Sequence, residues 1–128
     1  MSETSALYKW GAATQGFLLW SGWAFYVNSK VSFMSGIIAG LVQGLFSFFA
    51  TLLVIALLTK LYNHIQTQHL KLILPPVIML VCLTTVLVAA HTIAKTPRII
   101  ETIVPSLTVA AFFCSFTIYK LAKGKAHS

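Results

Sequence analysis

The chain has 128 residues, 58% of them hydrophobic and 9% charged, with nine Lys or Arg against two acidic residues and a formal net charge of +7. Soluble domains are roughly 45–50% apolar and about 25% charged, so this chain has too little polar surface to cover a water-soluble fold. Its cations stand in ones and twos between apolar runs rather than in a basic stripe, which argues for topogenic charge and against a nucleic-acid partner.

About 20 apolar residues cross a bilayer, and four such segments with short loops fill the chain. The expectation is an all-α integral membrane protein, a single domain over 1–128, with four transmembrane helices arranged as two antiparallel hairpins. The Met1-Ser2-Glu3-Thr4 opening has no basic region and no small-residue cleavage site, so the first segment reads as part of the mature protein.

The first segment, about 10–27, is the least apolar, because Gly, Ala, Thr14 and Gln15 dilute Phe17, Leu18, Leu19 and Phe25. Tyr8 and Trp10 at one end and Trp23 and Tyr26 at the other suit an interfacial belt, and Asn28-Ser29-Lys30 reads as a polar turn. The second segment, about 34–58, has fourteen Leu, Ile, Phe or Val residues between Ile37 and Leu58. Each contributes about −0.3 to −0.6 kcal/mol at a helix centre, which outweighs the single Gln43. Beyond it, Thr59 to Leu72 carries Leu61, Ile65, His69 and Leu72 at near-helical spacing and reads as an interfacial extension.

Pro75-Pro76 suit the first turn of a third helix over about 75–94, where their missing N–H groups cost nothing. Thr96-Pro97 is a helix-start signal for a fourth over about 97–121, with a kink expected at Pro105. Lys120, Lys123 and Lys125 make a basic tail. Lys9, Lys60, Lys71, Lys120, Lys123 and Lys125 fall on one side of the expected spans and Lys30, Lys95 and Arg98 on the other, six against three. That excess places both termini in the cytoplasm. At an offset of 65 the segments 30–40 and 95–105 overlay with only Lys30/Lys95 and Ile38/Ile103 identical, a symmetry of layout like that of parallel-repeat transporters.

Gly36, Gly40 and Gly44 form a GxxxGxxxG run, which with Gln43, Ser47 and Thr51 makes one small and polar face. Such a face lets another backbone approach closely, so these glycines are the expected helix-packing surface. Further polar stripes are Gly11, Gln15 and Gly22; Thr84, His91 and Lys95; and Glu101, Thr108, Ser115 and Tyr119. Turned inward they would give a polar seam, with Gln15 and Gln43 hydrogen-bonded between helices or lining a hydrated route. Folding the chain about Thr96 sets His91 opposite Glu101. This makes His91, Glu101, Gln15 and Gln43 the candidates for a substrate or proton path.

Enzyme signatures are missing. No nucleophile, base and oxyanion donor come together, and two acidic residues leave no paired-carboxylate site. His64 and His69 are five apart, off the spacing of helical metal ligands, and no cofactor motif is present; His91 alone is thin support for haem or quinone. Cys82 and Cys114 sit in apolar runs and read as packing residues.

In layout and length, without matched motifs, the chain resembles small bacterial four-helix membrane proteins such as the GtrA-like group. The resemblance implies a bacterial inner membrane and the movement of lipid-linked sugars. The functional expectation is a small transporter or flippase-type component, embedded in the lipid bilayer and forming a homo-oligomer. The alternative is a non-transporting accessory or assembly subunit of a larger membrane complex.

Overall fold

The computed structural model describes residues 3–126, all of them in helices or the short connections between them. The Met1-Ser2 opening, the last two residues and the side chain of Lys125 in the basic tail lie outside the described residues. The helices are α1 (Glu3–Ser29), α2 (Phe33–His64), α3 (Gln68–Ile93) and α4 (Ile99–Ala126). Three stretches, Phe33–His64, Gln68–Ile93 and Ile99–Gly124, are long and apolar enough to cross a membrane. Exposed Leu, Ile, Val and Phe side chains run along these helices. Helices that expose so much apolar surface point to a membrane protein.

The helix ends differ from the expected spans for local reasons. The Ser32 side chain accepts a hydrogen bond from Ser35 N–H (3.1 Å) and caps α2. At its other end α2 continues to His64, because Leu58 and Tyr62 pack into the main hydrophobic cluster. The stretch 59–72, expected as one interfacial extension, is therefore divided between α2 and α3 by a turn at 65–67. α3 starts at Gln68, so Pro75 and Pro76 lie inside it and not in its first turn. Lys71 N–H already bonds Thr67 C=O (2.9 Å), so the helix is established before the prolines. Each proline then withholds one donor from a carbonyl near the helix start.

α4 begins at Ile99, two residues past Pro97. Thr96 does not cap it. The cap comes from the end of α1, where Asn28 Oδ1 accepts a hydrogen bond from Arg98 N–H (3.0 Å). The turn before it closes α3 by two bonds, Thr96 N–H to His91 C=O (2.9 Å) and Lys95 N–H to Thr92 C=O (3.1 Å). This Schellman pattern puts Lys95 in the left-handed region at φ 59°, a place usually taken by glycine.

α2 is the central element, packing on each of the other three, while α1 and α3 do not meet. Its glycines face α1 at close range. A Cβ added at Gly36 would lie 2.8 Å from Ser29 Cβ, at Gly40 3.0 Å from Ser21 C=O, and at Gly44 2.9 Å from Ser21 Cβ. The contacts step backward along α1 as they step forward along α2. Toward the 65–67 end, Val54, Leu58, Tyr62, Met79, Leu83, Cys114 and Ile118 form the hydrophobic core. Toward the end with the 30–32 and 94–98 connections the interior is polar.

Candidate functional site

The polar interior is built from side chains on all four helices and on the turn between α3 and α4. Asn28 ends α1, Gln43 lies on the inner face of α2, and His91 occupies the last turn of α3; all three are fully buried. Thr96 lies in the turn after α3, and Thr102 and Ser106 share one face of α4, four residues apart.

Hydrogen-bond logic fixes their orientation. Ser106 Oγ–H donates to Ile103 C=O (2.9 Å), which can only accept. Ser106 must therefore accept from Gln43 Nε2–H (3.1 Å), which turns Gln43 Oε1 toward His91. His91 Nε2–H donates to that oxygen (2.8 Å), so the neutral ring carries its proton on Nε2. Nδ1 then accepts from Thr96 Oγ–H (2.7 Å). The result is one chain of donors running Thr96, His91, Gln43, Ser106 and Ile103, across α3, α2 and α4.

A second cluster stands beside it. Asn28 Nδ2 donates to Ala24 C=O (2.8 Å) and to Thr102 Oγ (2.7 Å), and Thr102 Oγ–H donates to Arg98 C=O (2.6 Å). Trp23 Nε1–H reaches from α1 to Glu101 C=O (3.1 Å). These bonds hold α1 against the start of α4. Among the described residues, no buried side-chain nitrogen or oxygen is left without a partner.

His91 and Glu101, expected opposite one another, are not brought together. Both ring nitrogens of His91 are engaged inside the bundle, while the exposed Glu101 carboxylate pairs with Arg98 (3.3 Å). Gln43 and His91 do meet. Their hydrogen bonds tie α3 to α2 and α4. Gln15 lies on the exposed face of α1 with Gly11 and Gly22, at which an added Cβ would meet nothing within 4 Å. The stripe Glu101, Thr108, Ser115 and Tyr119 is likewise exposed, and α4 turns Thr102, Ser106, Cys114 and Ile118 inward instead. An outward Thr108 is tolerable, since its hydroxyl bonds Val104 C=O (2.9 Å).

In the sequence Asn28 reads as part of a polar turn, and Thr102 and Ser106 do not stand out as members of a polar face. The signal was present in the spacing, since hydroxyls at 102 and 106 bracket Pro105 on one helical face.

Beyond the polar chain, α1 and α4 part and leave a cleft of about 240 Å³ whose floor is α2. Ala12 and Trp20 line it from α1, and Val109, Ala110 and Phe113 from α4. Val109 and Phe113 are exposed, so the cleft opens outward between the two helices. Gln43, Ser47, Thr51 and Ser106 give its inner wall a polar strip, and none of the lining residues is charged.

Comparison with protein-family models, curated proteins and solved structures finds no match to this chain.

Proposed function

We propose that this protein is a small membrane-embedded transporter or flippase-type component that admits an amphipathic, lipid-like molecule sideways between α1 and α4. The observation that carries this reading is the outward-opening cleft, apolar on its flanks and polar along α2. A molecule with a hydrocarbon body and a small polar part meets matching surface there, as in most small-molecule sites.

In this reading the four helices span a bacterial inner membrane as two antiparallel hairpins, with both termini cytoplasmic. Asn28 bonded to Arg98 puts the 30–32 and 94–98 connections at one end of the molecule, the end with fewer cations. Association with further copies, or with a larger membrane complex, would cover the exposed amide of Gln15.

The test is reconstitution into vesicles carrying a panel of fluorescent lipids, with transbilayer movement read as the fraction of label open to an external quencher. Faster equilibration than in protein-free vesicles, abolished by Ala110→Trp in the cleft, is expected. If no lipid moves faster and the chain co-purifies in fixed ratio with a larger complex, the accessory-subunit reading takes its place. The observation favouring that rival is the polar interior itself, in which the buried side chains bond one another.

A further inference from the structure

Ser47 stands near the middle of α2, on the wall of the cleft, with 8% of its surface exposed. Hydroxyls on a helix usually turn back to the carbonyl four residues earlier, and Thr51, Thr59, Thr85, Thr108 and Thr117 all do so here. Ser47 does not. Its hydroxyl makes no hydrogen bond among the described residues, although its own carbonyl accepts one from Thr51 Oγ (2.7 Å). Since no buried side-chain oxygen lacks a partner among the described residues, this unbonded hydroxyl must be open to the cleft, beside Gln43, Thr51 and Ser106, whose polar groups already bond within the protein; it is a recognition group in waiting.

From this geometry we infer that the cleft binds a neutral lipid, with one hydroxyl or carbonyl of the lipid hydrogen-bonded to Ser47 and its chain against Ala50, Leu107, Ala110 and Phe113. The volume supports a chain segment: an apolar cavity of about 150 Å³ already holds benzene, and this cleft is larger. The absence of any charged lining residue selects against phosphate or carboxylate heads, because an ion placed there would lose its hydration with nothing to balance it. Position matters as well. A polar group crossing from one leaflet to the other finds no partner in hydrocarbon, and Ser47 supplies one about half-way along α2.

This inference rests on reading the cleft as a substrate site. Its test uses the full chain in lipid nanodiscs and three photoreactive probes with the same diazirine-bearing chain: a monoacylglycerol, a lysophosphatidic acid and a plain alkane. The monoacylglycerol is expected to label the cleft segments of α2 and α4, with the lysophosphatidic acid about 10-fold weaker or more. Ser47→Ala should weaken monoacylglycerol labelling about 2- to 10-fold, the worth of one neutral hydrogen bond, and leave the alkane unchanged. Ser47→Thr keeps the hydroxyl and should keep the binding, which separates recognition from damage to the fold.

Equal labelling by the charged and neutral probes, or an unchanged monoacylglycerol signal in Ser47→Ala, overturns the assignment of a neutral lipid to Ser47. The cleft itself would survive that result as long as Ala110→Trp still blocks labelling. Failure of all three probes to label the cleft overturns both.

Discussion

Trp23 supplies to α4 the hydrogen bond that Pro105 removes. Glu101 C=O stands four residues before Pro105, which has no N–H to give it, and the Trp23 indole reaches that carbonyl from α1 at 3.1 Å. The proline thus frees an acceptor that anchors a neighbouring helix, and α4 is assigned as one helix across it, from Ile99 to Ala126.

A double-mutant cycle measures this coupling. Trp23→Phe should destabilise the protein by about 0.5–1.5 kcal/mol, the worth of one exposed hydrogen bond to a carbonyl that Pro105 cannot serve. Pro105→Ala restores an N–H to α4, so the loss from Trp23→Phe should shrink markedly in that background. Thermal unfolding in one detergent reads all four proteins. Strict additivity would mean that the indole and the proline act independently.

The close approach of α2 to α1 makes the glycines unequal. Gly40→Leu should part the helices and lower the unfolding temperature severely, since even its Cβ would sit 3.0 Å from a backbone carbonyl that cannot move aside. Gly22→Ala meets open space and should be neutral or stabilising by about 1 kcal/mol or less, through a better helix propensity. Comparable losses at both positions would contradict this packing.

The donor chain predicts which polar substitutions hurt. Gln43→Leu leaves His91 Nε2–H without its acceptor, and a loss of about 1–3 kcal/mol is expected. Glu101→Gln removes only an exposed pair with Arg98 and should cost about 0–1 kcal/mol. A larger loss at Glu101 than at Gln43 would reverse the roles assigned to the two residues.

Helical, strongly apolar character was legible because composition and long apolar runs leave no other arrangement for backbone polar groups. The partners of His91 were not legible. Periodicity shows that α4 has polar positions, but the rotation of the helix depends on the sum of its contacts. Glu101, Thr108 and Ser115 compete with Thr102 and Ser106 for the interior, and the outcome turns on Asn28 and Gln43 waiting on other helices. Asn28 was hidden for a similar reason. A polar residue beside a turn looks solvated until a helix start 70 residues away is found to need its oxygen.

Sidedness can be read by cysteine labelling in a Cys82→Ala, Cys114→Ala background. A cysteine at Val31 should react with an impermeant maleimide added to intact cells, and one at Lys123 only after the membrane is opened. The opposite pattern would show that the count of cations does not set the orientation of this chain.

Lys95 links the turn to the polar chain. Its left-handed backbone, at φ 59°, lets Thr96 N–H return to His91 C=O, and the same turn brings the Thr96 hydroxyl to His91 Nδ1. An L-residue with a Cβ carries a strain of about 1–2 kcal/mol in this region, and glycine carries none. Lys95→Gly should therefore hold stability or raise it by up to about 1 kcal/mol, the gain being offset in part by the freer unfolded chain. Lys95→Val should lower stability by about 1–2 kcal/mol, because a branched Cβ fits the left-handed region worst. Lys95→Asn, which removes the charge but tolerates the conformation, should stay close to the parent. The pattern Gly and Asn mild, Val severe, identifies backbone conformation as the cause; equal losses in all three would instead assign the role of Lys95 to its charge.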